Sequence, residues 1–103
     1  MISADQHISL TEDQAARLAE LFSAMSDASR VQIITALLAG PMNVQSLAAV
    51  AGISESGVSH HLRSLRHMRL VRARRQGRWV YYTLDDEHIA DLFRRGVEHI
   101  LHG

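Results

Sequence analysis

Two helical segments separated by a glycine turn, in the middle of the chain, restrict the fold more than any other feature. Asn43 is a residue type that caps helices, and the short helix that it begins ends at Gly52. Ser54 then begins a longer helix, in which Val58 and Leu62 recur at helical spacing on one face. A short helix, a tight turn and a longer helix together predict a helix-turn-helix.

The period of the sequence changes directly after this second helix. Leu70–Arg74 and Trp79–Leu84 contain the residue types that favour strands, and Gln76-Gly77 between them predicts a turn. We therefore expect a two-stranded wing that follows the helix-turn-helix.

Further helical segments lie on both sides of this unit. The first spans about residues 12–25, and a second begins at Ser26-Asp27 and stops at Gly40-Pro41. A last helix begins near residues 85–87, and its broad apolar side is formed by Ile89, Leu92, Phe93, Val97, Ile100 and Leu101. The expected fold class is mainly α with a small β-hairpin, a winged helix-turn-helix.

A chain of 103 residues is long enough for one domain. We place that domain at residues 10–103, after a flexible N-terminal arm over residues 1–9. A monomer of this size buries only about two-thirds of its chain surface, so a core shared with a second subunit would add burial. We therefore expect a homodimer that is formed by the first and last helices.

Composition excludes several classes of protein. There is no cysteine, so neither a disulfide framework nor a thiolate metal site can form. No segment approaches the roughly 20 apolar residues of a membrane span, and the N-terminus lacks the basic-then-apolar pattern of a signal peptide. From these observations we expect a cytoplasmic protein with no membrane partner.

The charges are segregated along the chain although the formal net charge is zero. No acidic residue lies between Glu55 and Asp85, and that segment contains seven arginines: Arg63, Arg66, Arg69, Arg72, Arg74, Arg75 and Arg78. A basic middle between acidic ends is typical of a surface that binds a polyanion. The alternative is a solvated charged face, but arginine is also the residue with planar, bidentate reach to phosphate and guanine.

In a helix-turn-helix the second helix lies in the major groove, with its N-terminal residues at the base edges. The residues expected to face DNA there are Ser56, Gly57, Ser59, His60 and Arg63. Three wing arginines are expected along the flanking backbone or minor groove: Arg74, Arg75 and Arg78. Alternatively, Ser54 and Ser56 only cap a helix, and His60 and His61 are only solvated. Because one recognition helix reads little sequence, we expect a dimer on a palindromic double-stranded operator.

The last helix carries potential metal ligands at both ends. His88 and His99 are eleven residues apart, which at about 100° per residue returns them to nearly the same face. They are separated by about 16 Å along the axis, too far to share one ion. His99 and His102 can chelate together at i and i+3, and Asp86 can turn back beside His88. Packed antiparallel on its symmetry mate, this helix would form two four-ligand sites per dimer.

Three imidazoles and one carboxylate suit tetrahedral Zn²⁺ or Co²⁺ and not an ion that prefers thiolates. An alternative explanation needs no metal, because histidines at a helix end and acidic residues at its start also complement the helix dipole. His7, in the arm, is either a fifth ligand or simply solvated.

With these residues in view, the chain from about Leu10 to His102 resembles the ArsR/SmtB family of metal-responsive repressors. Residues 54–65 resemble the recognition helix of that family, and Leu70-Val71, residues 75–78 and Tyr81-Tyr82 resemble its wing. The ligand set of the last helix is similar to that of the zinc/cobalt efflux regulators: Asp86, His88, His99 and His102. The resemblance implies an apo dimer that binds an operator and blocks transcription until metal binds.

The resemblance also limits which metal ions are expected to act as the effector. A second family site, built on cysteines, cannot exist in this sequence. Nickel-sensing relatives recruit extra ligands from terminal extensions, and here only the arm with His7 could supply one, so we expect Ni²⁺ to be less suitable. We further expect His99 to donate its second ring N–H to a carbonyl near Met68 and Arg69, as a link from metal to the DNA-reading helix. A metal-independent repressor of the same fold remains the alternative, and we expect no enzyme, because four protein ligands leave no open coordination position.

Overall fold

The computed structural model describes residues 7–103, which form five helices and one two-stranded antiparallel sheet. The elements are α1 (Glu12–Ala24), α2 (Ala28–Leu37), α3 (Val44–Ala51), α4 (Glu55–His67), β1 (Val71–Gln76), β2 (Trp79–Leu84) and α5 (Glu87–His102). The predicted fold class, mainly α with a small hairpin, is confirmed. Most of the predicted arm, residues 1–6, lies outside the described residues, and residues 7–10 are exposed and in no helix or strand.

Each helix begins at a side chain that satisfies backbone N–H groups of its own first turn. Thr11 Oγ1 accepts from the Gln14 backbone at 3.1 Å, and Gln14 Oε1 accepts from the Thr11 backbone at 3.0 Å, which completes a capping box. The other four caps are Asp27, Asn43, Ser54 and Asp86. Since each such cap stabilises a helix by about 1 kcal/mol, short polar residues fix where these helices start.

The core lies beneath the helix-turn-helix. Its fully buried side chains come from α2, α3 and α4: Ile33, Ile34, Leu47, Val58, Leu62 and Leu65. The inward face predicted for α4 is therefore confirmed. Leu70, Val71 and Ile89 extend the same cluster to the base of the wing and the start of α5. Because these residues hold α4 against α3, the recognition helix is part of the core and not a mobile appendage.

The wing is a regular hairpin with a turn one residue later than predicted. β1 pairs with β2 from Val71 opposite Leu84 to Gln76 opposite Trp79, which leaves Gly77 and Arg78 as the loop. Gly77 has φ +65°, the conformation that a two-residue turn with glycine first requires. Gln76 was expected in the turn but closes the ladder instead. The first loop residue of such a turn needs a positive φ, and Gly77 is the residue that supplies it.

α1 and the C-terminal half of α5 border an apolar groove that the single chain leaves open. None of the α1 residues is buried, and the exposed fractions of Phe22, Ile100 and Leu101 are 51%, 80% and 68%. Together with residues of α2 these side chains line a groove of about 970 Å³. None of the helices within residues 7–103 has the length and apolar character needed to span a bilayer.

Candidate nucleic-acid interface and metal half-sites

The N-terminal end of α4 presents the polar residues that were predicted to face DNA. Ser56, Ser59, His60 and Arg63 are all exposed. The Ser54 hydroxyl accepts from the Gly57 backbone N–H at 3.0 Å and lies 3.1 Å from the Ser56 hydroxyl. Ser54 is therefore the cap and Ser56 contacts it through its hydroxyl, whereas the assignment of Ser56 to the DNA-facing side stays a prediction.

The structure gives a reason for glycine at position 57 that the sequence did not reveal. A Cβ at this position would stand 3.2 Å from the Ser54 hydroxyl and 3.5 Å from a methyl carbon of Ile53. Glycine therefore keeps the cap compact, and its predicted role in close approach to DNA stays a prediction.

His60 and His61, which the sequence treats alike, have different surroundings. His60 is exposed beside Ser59, whereas the side chain of His61 is only 17% exposed. The Arg30 Nε–H donates to His61 Nδ1 at 2.9 Å. The interpretation of His61 as a solvated residue is therefore wrong. His61 lies one helical turn before the core residue Leu65, and its ring is directed at α2.

A polar cleft of about 460 Å³ lies between α4 and the wing. Its lining residues are Ser59, Arg63, Arg66, His67 and Tyr82. Of these residues only Ser59 and Arg63 were predicted DNA contacts, although Arg66, which was named only as part of the basic segment, follows them at i+7 and i+3 and thus shares their helical face. Tyr82 could not have been found by spacing, because the Met42–Tyr82 backbone bridge that seats β2 here joins distant segments. Guanidinium and hydroxyl donors that converge in this way suit a DNA phosphate.

The wing arginines do not form one face. Arg74 and Arg75 are neighbours in β1 and so point to opposite sides of the sheet. Arg78, in the loop, has its guanidinium carbon 5.6 Å from the centre of the Trp79 ring, at the tip of the hairpin. Arg72, which belongs to the same basic segment, is bound within the chain: its Nε donates to Thr83 at 3.3 Å, and its Nη1 lies 3.7 Å from Asp85. The arginines that remain on the wing for a polyanion are Arg74, Arg75 and Arg78.

Asp86 and His88 lie together at the start of α5. One oxygen of Asp86 accepts from the backbone N–H of His88 at 2.9 Å and of Ile89 at 3.3 Å. The same oxygen is 3.4 Å from His88 Nδ1, and the His88 side chain is fully exposed. The capping geometry therefore holds the carboxylate beside an imidazole that is open to a ligand.

His99 and His102 lie at the opposite end of α5. Together with Arg95, Glu98 and Gly103 they line a cleft of about 350 Å³. The Gly103 backbone N–H donates to the His99 carbonyl at 2.8 Å, which closes the last turn against the histidine. Within residues 7–103 of one chain, no three potential ligands come close enough to hold an ion. The predicted ligands thus form two separate pairs.

Arg69 ends α4 in the left-handed conformation, at φ +60°. Its backbone N–H donates to the Arg66 carbonyl, and that of Leu70 donates to the Leu65 carbonyl, each at 2.9 Å, which is a Schellman motif. Among the described residues of the single chain, no hydrogen bond joins His99 to Met68 or Arg69, so that link stays a prediction. His7 is exposed and belongs to no helix or strand.

Comparison with protein families and with characterised sequences gives one consistent result. The model of the family described as bacterial regulatory protein, arsR family, matches residues 27–73. A transcriptional repressor SmtB homolog of Synechocystis is 49% identical over 88 residues, which are 85% of this chain and 67% of the relative. The regulator NmtR of Mycobacterium tuberculosis is 40% identical over 90% of this chain and 78% of its own length. A cadmium resistance regulatory protein CadC homolog of Staphylococcus aureus is 39% identical, over 80% and 69%.

Solved structures agree with the sequence comparisons. The antimony-specific repressor AntR superposes with a TM-score of 0.83 at 26% identity, over 94% of this chain and 88% of its own. The solution structure of apo-NmtR gives 0.77 at 37% identity, over 98% and 85%. A homodimeric winged helix-turn-helix domain from Mycobacterium bovis gives 0.74 at 30% identity, over 98% and 96%. The chain therefore shares both sequence and architecture with DNA-binding regulators.

Proposed function

The chain belongs to the arsR family of bacterial regulatory proteins, whose members are winged-helix transcriptional regulators and not enzymes, and we propose that it is a metal-sensing repressor. As a homodimer without metal it binds operator DNA and blocks transcription. When Zn²⁺ or Co²⁺ is bound between the two α5 helices, it releases the operator.

The observation that carries this proposal is the placement of two ligand pairs at opposite ends of one helix that borders an open apolar groove. Asp86 and His88 lie before the groove, His99 and His102 at its far end, and Ile100 and Leu101 lie between the latter two histidines. A second α5 that covers the groove in antiparallel orientation would bring Asp86 and His88 of one chain to His99 and His102 of the other. Two equivalent sites per dimer would result.

A second copy of the chain is the occupant that best suits the groove. The groove is lined by apolar side chains of α1, α2 and α5, and exposed apolar surface of this extent is typical of an interface. The structural neighbour from Mycobacterium bovis is described as homodimeric. Two-fold symmetry also places two recognition helices on one face, as a palindromic operator requires.

The donor set fits a divalent ion that prefers nitrogen and oxygen. Three imidazoles and a carboxylate give the four ligands of a tetrahedral site, and the absence of cysteine from the whole sequence removes the thiolates that softer ions prefer. When bound, such an ion would join the two subunits through bonds to both α5 helices. Ni²⁺ is less suitable because it would need ligands beyond these four, and His7 is the remaining histidine outside α4 and α5.

Release from DNA follows if bound metal and bound operator favour different geometries of the dimer. The ligand pairs can meet in only one arrangement of the α5 helices, whereas DNA favours the arrangement that spaces the recognition helices by one helical turn. Bound metal then lowers the affinity of the dimer for DNA, and bound DNA lowers its affinity for metal, by the same factor. We further propose that His99 donates its second ring N–H to a carbonyl of Met68 or Arg69 and so passes the change to α4.

The test is operator-binding anisotropy of the apo dimer, with Zn²⁺, Co²⁺ and Ni²⁺ titrated separately at one salt concentration. We expect Zn²⁺ and Co²⁺ to weaken operator binding by about 5- to 150-fold, which is the usual range of allosteric coupling. Isothermal titration should find two tight Zn²⁺ sites per dimer. Operator binding that none of the three ions changes would instead indicate a metal-independent repressor of the same fold.

The variant His99→Gln provides the specific check of the ligand set. A neutral amide cannot replace the imidazole at Zn²⁺, so the variant should bind Zn²⁺ poorly and remain on the operator when metal is added. Arg94→Gln is the control, because this residue lies on α5, is paired with Asp91 and lies outside both ligand pairs. Metal-driven release by His99→Gln at the wild-type Zn²⁺ concentration would contradict the proposed site.

A further inference from the structure

A polar cluster formed by Asp27, Arg30 and His61 joins the junction of α1 and α2 to the recognition helix. Arg30 donates from Nε to His61 Nδ1 at 2.9 Å and from Nη1 to the Ala24 carbonyl at 3.1 Å. Asp27 Oδ1 is 4.0 Å from His61 Nε2. One guanidinium therefore connects the end of α1, the start of α2 and the side of α4.

The hydrogen bond fixes which nitrogen of His61 carries the proton. Because Nδ1 accepts from Arg30, a neutral His61 carries its hydrogen on Nε2, the atom that faces Asp27. Asp27 is itself anchored, since its Oδ1 accepts from the backbone N–H of Ser29 at 2.8 Å and of Arg30 at 3.2 Å. Every member of the cluster is thus held by at least one partner on another turn or helix.

The same junction also forms one wall of the apolar groove. Its residues on that side are Met25, Ser26, Ala28, Val31 and Gln32. Asp27 and Arg30 lie between these residues in the sequence but have their side chains directed at α4. A displacement of this short segment, caused by whatever covers the groove, would therefore move the partners of His61 as well.

We propose that the Asp27–Arg30–His61 cluster positions the recognition helix relative to the dimer groove, so that changes at the groove reach the DNA-reading residues of α4. His61 is adjacent to His60 and lies two residues before Arg63, both predicted DNA contacts on the exposed side of the same turns. Within residues 7–103, the Arg30–His61 bond is the side-chain hydrogen bond that joins α2 to α4. The inference rests on the proposed dimeric repressor, but it concerns residues that are neither metal ligands nor predicted DNA contacts.

Two variants of His61 test the proposal. His61→Leu keeps apolar bulk but removes the acceptor, whereas His61→Asn keeps an acceptor oxygen close to the position of Nδ1. For His61→Leu we expect about tenfold weaker operator binding by the metal-free dimer, since loss of a hydrogen bond to a charged group is worth about one factor of ten. We also expect a smaller effect of Zn²⁺ on operator affinity. His61→Asn should restore both quantities.

Three controls separate positioning from other causes. Dimer mass, Zn²⁺ stoichiometry and the salt dependence of operator binding should be the same in both variants as in the wild type, because no ligand and no phosphate contact is removed. If His61→Leu does not fold, Arg30→Lys takes its place, because a single ammonium cannot donate to both His61 and the Ala24 carbonyl in the same geometry.

The outcomes are distinguishable from those of the proposed function. Wild-type operator affinity in His61→Leu, or equal defects in His61→Leu and His61→Asn, would overturn the positioning role. If none of Zn²⁺, Co²⁺ and Ni²⁺ alters operator binding by the wild type, the metal-sensing proposal fails. The metal-free affinities of the two variants would still decide the inference.

Discussion

Arg69 stores backbone strain at the point where the recognition helix ends and the wing begins. Its φ of +60° is a conformation that costs a non-glycine residue about 1 kcal/mol, and the Schellman motif around it holds that conformation in place. Leu65 and Leu70, which are joined by one of the two hydrogen bonds of the motif, are both buried. The core contact therefore fixes the turn, and arginine occupies a position that glycine would fill without strain.

Arg69→Gly should raise the free energy of unfolding by up to about 1 kcal/mol, because the relief of the steric cost of positive φ exceeds the chain entropy that glycine adds to the unfolded state. Urea denaturation at fixed pH measures the change. Arg66→Gly is the matched control: it lies in the last turn of α4 and should lose about 1 kcal/mol. A loss of stability in both variants would show that the turn is not strained.

Asp27 gives the fold a defined dependence on pH. Its backbone hydrogen bond from Arg30 is the largest cause that lowers its pKa from the ordinary value of 3.8, and the bond from Ser29 and the nearby His61 and Arg30 act in the same direction. A carboxylate with a lowered pKa in the folded state stabilises the protein above pH 3.8, and this contribution is lost as the pH falls through the lower folded value.

Asp27→Asn should therefore be less stable than the wild type at neutral pH, and the difference should shrink below pH 3.8. Asparagine still caps the helix, so the variant isolates the charge. Urea denaturation at several pH values from 7 to about 3 gives the comparison. A difference that does not change with pH would assign the effect to the cap and not to ionisation.

At the scale of elements, the recognition helix and the wing act as one surface because the Met42–Tyr82 bridge and the buried Leu70 and Val71 hold the hairpin against the core. The cleft between them collects donors from two elements. Its helical part follows from the spacing of Ser59, Arg63 and Arg66, but its β2 part depends on tertiary contacts.

Arg66→Ala should weaken operator binding to a similar extent for all sequences and lower the salt slope by about one, as expected for loss of one phosphate contact. Operator and unrelated DNA, each titrated at several salt concentrations, provide the measurement. Arg94→Ala is the control, since this arginine is paired with Asp91 on α5 at 2.9 Å. An unchanged salt slope in Arg66→Ala would remove the cleft from the interface.

At the scale of the whole molecule, the proposed metal sites depend on the apolar groove between α1 and α5, which a second subunit would have to cover. Phe22 projects from α1 into this groove and is 51% exposed in the single chain. A residue so exposed contributes little to the fold of one chain, so its apolar character fits the proposed dimer interface.

Phe22→Glu should convert the dimer to a monomer, because a carboxylate would be buried without a partner in the interface. Operator affinity should fall by at least about a hundredfold when the two recognition helices are no longer linked. Analytical ultracentrifugation gives the mass. Val50→Glu is a control of equal exposure, 51%, outside the groove, and it should stay dimeric. A dimeric Phe22→Glu would place the interface elsewhere.

The sequence alone determined the features that depend on local spacing. Caps such as Asn43, Ser54 and the acidic start of α5 are short-range hydrogen bonds, and the pairing of His99 with His102 follows from the pitch of one helix. The tertiary structure decided what depends on residues far apart in the chain. It turned His61 away from solvent toward Arg30, 31 positions away, brought Tyr82 to the cleft that Arg63 also lines, and left the groove open. The reason is physical: periodicity states which side of a helix a residue occupies, but only packing states what lies opposite.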